Sequence, residues 1–236
     1  MSDLAHWTPR PRPSHRAFGC GRVRLEPLDT ARHGPDLWQA THASPALWDF
    51  MGYGPFTDAF AFMGWLADQA RATDPLSFAV VDPVIGRALG RIALMEIRPA
   101  HGVLEIGHIF FGPALQRTPA ATAAIRLLLG HAFDELGYRR VEWKCDARNE
   151  ASRRAAGRFG FHFEGLFRQH MVVKGKNRDT AWFAMCDDDW PAIRAGFDAW
   201  LSDANFDDRN RQKSRLRDHI GPEDTGGTKN GRTSQG

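Results

Sequence analysis

Two groups of residues have the types and spacing to do chemistry. The first lies in the apolar run Val103-Leu104-Glu105-Ile106-Gly107-His108-Ile109-Phe110-Phe111, which alternates as a strand does. A carboxylate drawn into such a strand loses water and its pKa rises, so Glu105 is a candidate proton acceptor near neutral pH. At an exposed strand end it is only a surface carboxylate, and the residues leave both open. His108 titrates near neutrality and is a candidate proton relay. Strict alternation puts it on the face opposite Glu105, and a lone strand histidine is often structural.

The second group follows at once. Gly112-Pro113-Ala114-Leu115-Gln116-Arg117-Thr118 leads into a helix whose first turns are Pro119, Ala120, Ala121, Thr122, Ala123 and Ala124. Free N–H groups and the positive dipole end make a helix start an anion site. Small side chains let a phosphate approach the backbone, and Arg117 can add a charge-assisted bond. A β-α-β unit that opens this way implies a pyrophosphate ligand, with an ordinary helix start packed on a sheet as the equal alternative. Further on, Asn149 reads as the cap of a short helix. Arg153, Arg154 and Arg158 are either phosphate ligands or a solvated helix face. Lys174, Lys176 and Arg178 form a basic hairpin tip, suited to an acidic acceptor or simply to solvent.

Other chemistries lack their residues. There is no Gly-x-Ser-x-Gly, His-Glu-x-x-His or Walker loop. Cys20, Cys145 and Cys186 make no metal-type spacing and no disulfide framework, so no metal is expected and a reducing, cytoplasmic setting is. The opening residues show no basic segment followed by an apolar one, and no apolar run reaches membrane-span length, so neither secretion nor a membrane partner is expected. The net charge of +3 and pI near 9.0 come from the ends, because positive charge outnumbers negative in 1–22 and 206–236 while 23–205 is slightly acidic. Charge therefore gives nucleic-acid binding no support, although an Arg-rich arm and tail keep it as a rival.

The elements that must position these residues follow from periodicity. Residues 1–21, with Pro9-Arg10-Pro11-Arg12-Pro13, read as an extended arm. Residues 206–236 read as a disordered polar tail, and 22–205 as one domain. Within it, strands are expected over 23–28, 77–82, 86–98, 103–111, 140–147, 161–173 and 180–186. Helices are expected over 30–51, 58–72, 119–136, 150–159 and 190–204. The order is β-αα-βββ-α-β-α-ββ-α, an α/β fold in which a mixed sheet carries helices on both faces.

Glu105-Ile106-Gly107, Gln116-Arg117-Thr118-Pro119-Ala120-Ala121 and Asn149-x-x-Ser152…Gly160-Phe161…Glu164-Gly165 together resemble the GNAT N-acetyltransferase superfamily, in its RimJ/RimL-like branch, over about residues 22–190. The resemblance implies a mostly antiparallel sheet whose fourth and fifth strands run parallel and splay to admit acetyl-CoA. It implies an enzyme, an acyltransferase that carries acetyl from acetyl-CoA to a primary amine by direct attack. The acceptor is a protein N-terminus or a small amine, and a homodimer is compatible. By resemblance, backbone groups at His108, Ile109 and Phe110 meet the thioester carrier. Gln116, Arg117, Thr118, Ala120, Ala121 and Thr122 hold its pyrophosphate, Asn149 bonds carrier or water, and Ser152 gives the departing thiolate its proton. Neither Tyr53 nor Tyr138 takes the place of the tyrosine acid that many members use. Pro119 departs from the family loop, which has glycine there. Proline offers no N–H, so either that position makes no bond or the carrier site is weakened. A non-catalytic acyl-CoA-binding module is the alternative function.

Overall fold

The computed structural model describes residues 4–221. Eight strands form one sheet in the order β1-β2-β3-β4-β5-β6-β8-β7. They are β1 (Phe18–Cys20), β2 (Val23–Pro27), β3 (Leu76–Val81), β4 (Ala88–Arg98), β5 (Val103–Phe111), β6 (Arg140–Asp146), β7 (His162–Val173) and β8 (Lys176–Cys186). Every pairing is antiparallel except that of β5 with β6. These two are the expected fourth and fifth strands.

Alternation along the strands divides the core. On one face Phe78, Val80, Ile92, Leu94, Leu104 and Ile106 pack with α3 (Pro119–Gly130), α4 (Glu150–Arg158) and α5 (Trp190–Leu201). On the other, Ala79, Val81, Ala88 and Phe110 pack against α1 (Thr30–Thr41) and α2 (Ala59–Arg71) through Leu37, Trp48, Phe62 and Leu66. Asp29 and Asp58 cap α1 and α2, each accepting a first-turn N–H at 2.8 Å. The expected helix over 30–51 stops at Thr41, and Pro45 opens a separate 3-10 turn, Pro45–Trp48. Pro35 is carried inside α1, whereas Pro45 starts the separate turn, at a position where its missing N–H breaks no bond. The helix expected to 136 ends its regular turns at Gly130 and closes through a π-type turn, His131–Glu135.

The ends differ from a free arm and tail. Residues 4–17 run extended along the sheet, held by Trp7 Nε1 donating to Ala100 O (2.8 Å) and by His15 Nε2 at 2.7 Å from Ser77 O. The arm then enters the sheet as β1. Residues 206–221 fold back: Phe206 bridges to Gln212, Leu216 is buried, and α6 (Arg217–Ile220) lies on α5 at Gly196. The rest of the expected tail lies outside the described residues.

β4 and β5 approach closely at Gly90, where a Cβ would stand 2.7 Å from Phe110 O and 2.9 Å from Phe111 Cδ1. Gly90→Ala must therefore push aside the far end of β5, beyond its last pair with β6. Urea unfolding is expected to show a loss of about 2 kcal/mol, the usual cost of overpacking a filled core.

Candidate active site

Residues of β5 and β6 pair only at Val103↔Arg140, Leu104↔Val141 and Glu105↔Glu142. β5 stays bonded to β4 as far as Phe111, and β6 to β8 as far as Asp146. Beyond Glu105 the facing backbone edges of the two strands are thus unpaired with each other. Buried N–H and C=O groups need partners, and the wedge leaves such groups on both strands open to a ligand.

At the wedge's apex sits Glu105, 5% exposed. Burial raises its pKa to about 7; Lys144 opposes that rise, and Glu142 and Glu96 add to it. The Lys144 ammonium lies 2.8 Å from Glu105 Oε2 but out of line for a directed hydrogen bond, and it rests over the Trp182 ring. Of the two readings the sequence leaves open for Glu105, the structure contains the buried carboxylate.

His108 differs from expectation in two ways. A bulge between Ala93↔Gly107 and Arg91↔Phe110 breaks the alternation, and His108 takes φ +49°. Its side chain therefore lies on the same face as Glu105, against Tyr53, rather than opposite. Its pKa is lowered to about 4 by burial, then by Arg91 and Arg178, so the ring is neutral at pH 7 instead of titrating there. Arg91, fully buried, donates to Ser77 Oγ (2.8 Å), Gln69 Oε1 (2.8 Å) and Tyr53 Oη (3.1 Å). The Tyr53 oxygen accepts from Arg91 and lies 3.0 Å from His108 Nδ1, and we assign its proton to that nitrogen. That leaves the hydrogen of the neutral imidazole on Nε2, a donor.

The loop into α3 spends several amides internally. Leu115 and Gln116 N–H donate to Gly112 O, Thr118 N–H to Leu115 O, and the Gln116 side chain to Phe111 O. Thr118 caps α3, its Oγ1 accepting from Ala121 N–H at 3.3 Å. The N–H groups of Arg117, at φ +60°, and of Ala120 take no part in these bonds. Gln116 and Arg117 are exposed, and Ala120 is half-buried at the helix mouth. Pro119 occupies the first helical position, where a missing N–H breaks no intrahelical bond. Thr122 does not join them: it is buried, and its hydroxyl accepts from Arg158 at 3.0 Å. Arg158 in turn lies over the Phe159 and Trp200 rings rather than forming a solvated face.

Across the wedge, Asn149 caps α4 by accepting from Ser152 N–H at 3.0 Å. Trp143 Nε1 donates to Ser152 Oγ at 3.0 Å, so the serine's own proton is free to point elsewhere, towards the Cys145 side of the wedge. The side chains of Ile109 and Phe110 pack in the two cores, and the Phe110 carbonyl is turned toward Gly90 of β4. A hollow of about 440 Å³, lined by Asp146, Arg148, Lys176 and Asp179, adjoins this end of β6. The described residues hold no group of three His, Cys, Asp or Glu side chains that could hold a metal, and no helix long and apolar enough to cross a membrane.

Position along the chain hid Tyr53, Arg91, Lys144 and Trp182. Arg91 carried a visible signal, a lone cation in an apolar strand; Tyr53 carried none.

Residues 22–162 match a family model described as an acetyltransferase (GNAT) domain. The crystal structure of a GCN5-related N-acetyltransferase from Brucella melitensis superposes with a TM-score of 0.90 at 48% identity, covering 92% of this chain and 99% of that one. A Chromobacterium violaceum protein described as a GNAT-family acetyltransferase follows at 0.77 and 46%, covering 81% and 96%. YdaF of Bacillus subtilis, named as a ribosomal N-acetyltransferase, is 30% identical over 105 residues, 44% of this chain and 57% of that protein. The matched stretch thus spans little more than half of that relative's length.

Proposed function

Because the chain belongs to the GNAT acetyltransferase family, we propose that it transfers acetyl from acetyl-CoA to a primary amine by direct attack in a ternary complex. The observation that carries this reading is the parted strand pair with a proton acceptor of pKa about 7 at its apex and an anion-ready helix start at its mouth. The thioester supplies an activated acyl carbon; the chain's residues do the rest. Unpaired edges of β5 and β6 bond the amide-bearing arm of the carrier, and the free N–H groups at Arg117 and Ala120 receive its pyrophosphate. A β5 backbone N–H near the bulge polarises the carbonyl. Glu105 takes the proton lost by the amine as the C–N bond forms. The C–S bond breaks, and the Ser152 hydroxyl donates to the thiolate. In this reading His108 is not the base: a pKa of about 4 makes its ring a weak proton acceptor and its Nδ1 faces Tyr53 Oη at 3.0 Å, so it serves as an Nε2–H donor on the acceptor side.

Thiol release from acetyl-CoA against a panel of peptide N-termini and small amines tests the reading. Amine-dependent release with loss of the wild-type rate in Glu105→Gln is expected. Tight acetyl-CoA binding with no release on any amine overturns the enzyme reading in favour of a carrier-binding module.

A further inference from the structure

The geometry points to an acceptor that carries its own anionic group, a carboxylate or phosphate, close to the amine that is acetylated. The inference rests on the acetyl-transfer reading above and names the substrate class of the same site.

The face of the sheet shared by Glu105 and His108 has more positive charge than it can satisfy. Most guanidiniums around β6 are paired: Arg98 and Arg140 with Glu142, Arg140 also with Glu164, and Arg148 with Asp146. Glu105 answers Lys144. Arg91 and Arg178 have no carboxylate among the described residues. Arg91 is sealed and held only by neutral oxygens of Ser77, Gln69 and Tyr53. Arg178 is half-buried, and its Nε is buried with no hydrogen-bond partner.

Its place follows from the pairing of its strand. β8 pairs with β6 at Trp182↔Lys144 and Thr180↔Asp146, so Arg178 lies two residues past the last of these pairs, at the open end of β6, and its charge reaches His108, Cys145 and Asp146. Along β8, alternation places Arg178, Thr180 and Trp182 on one face. The Trp182 Nε1–H is a second buried donor without a partner. Two unpartnered donors on one cleft, one of them on a half-buried guanidinium with no carboxylate partner, call for acceptor oxygens with negative charge. The carboxylates of this face are already committed, Asp146 to Arg148 and Glu105 to Lys144.

The walls suit a small or extended acid-bearing acceptor. Phe167 and Met171, half-exposed on β7, flank the cleft beside Trp182. Lys174 Nζ donates to Trp48 O at 2.8 Å, tying the β7–β8 tip over the segment between α1 and α2. The basic hairpin is therefore not merely solvated. Its innermost member, Arg178, faces the place where the acceptor must lie, and Arg91 holds Tyr53 and His108 behind it.

The test uses the full chain with acetyl-CoA and matched acceptors: serine against serinamide, aspartate against asparagine amide, and O-phosphoethanolamine against ethanolamine. At least 10-fold higher kcat/KM is expected for the anionic member of a carboxylate or phosphate pair, and which pair shows it separates the two sources. In Arg178→Gln that ratio should fall to within about 2-fold. Equal use of both members, or a preference that survives Arg178→Gln, overturns the proposal. So does an equal loss of kcat on both members with the ratio intact, which would assign the guanidinium to the departing sulfur. Binding gives an independent readout: N-acetylserine against N-acetylserinamide, followed by tryptophan fluorescence with coenzyme A bound. Selective binding of the acid, lost in Arg178→Gln, on a chain that turns over no amine sustains the anion site while the acetyl-transfer reading falls. Turnover without any acid preference leaves acetyl transfer standing and removes this inference.

Discussion

Glu105→Gln is expected to lower kcat about 100-fold, within the range lost when a positioned general base is removed, with acetyl-CoA affinity unchanged within about 2-fold. The fold should survive. Lys144 keeps Glu142 at 3.6 Å, and Glu142 is itself held by Arg98 and Arg140. The pH profile is the sharper measurement. With its pKa near 7, Glu105 gains its base form as pH rises, so wild-type kcat/KM, which also needs the amine deprotonated, should climb with a slope of two below pH 7 and of one just above it. Above that point only the amine's own deprotonation, near pH 8 for an α-amine, remains to shape the curve. The substituted chain should lose the limb near 7 and keep the amine's limb.

Stability gives a second sign. The folded-state pKa is raised from 4.5, so Glu105 favours the fold most below pH 4.5, and that contribution is lost as pH rises through 7. At 1.36 kcal/mol per unit, roughly 3 kcal/mol is at stake. Glu105→Gln should accordingly melt no lower than wild type at pH 5.5 and higher at pH 8.5. A profile identical to wild type in rate and melting would remove Glu105 from both roles.

Much of this site was legible because its signals are local. An acid in an apolar strand, small residues after a loop and an Asn before a short helix are signals read at short range; each left two readings open, and the structure buries Glu105, begins α3 at Pro119 and caps α4 with Asn149. His108 was misassigned to a face because alternation assumes an unbroken ladder. A bulge needs only one residue at positive φ, and nothing in Gly107-His108-Ile109 compels it. The Arg91–Tyr53–His108 chain joins positions up to 55 residues apart, a contact that the sheet and α2 create together and that no spacing encodes. The same holds at the ends. Pro-rich residues 9–13 and polar residues 206–221 lack periodicity, yet Trp7, Phe18 and Leu216 dock them on a surface already built by others. Sequence composition measures what a segment can bury alone, not what it can bury against a finished domain.

The largest effect on carrier binding is expected from Ala120→Glu. Ala120 sits in the second helical position of α3, after Pro119, with its N–H outside the loop's own bonds. A carboxylate there favours the helix by about 0.3–1 kcal/mol through the dipole, so melting should hold or rise. Yet the same carboxylate satisfies the amides meant for the pyrophosphate and repels its charge. Two unit charges about 4 Å apart near a protein surface interact by about 4 kcal/mol before salt screening. A weakening of acetyl-CoA binding by about 100-fold, near 2.7 kcal/mol, is therefore expected by calorimetry, and it should shrink as salt is raised. Ala120→Gln separates size from charge, since it adds nearly the same bulk and should weaken binding far less. The pair also decides what Pro119 means. If Ala120→Glu disrupts binding as described, the helix start holds the anion without an amide at residue 119, and proline there costs the site nothing essential. If binding is indifferent to a charge at the second helical position, the pyrophosphate does not rest on α3, and the loss of the family's glycine has moved or abolished that contact.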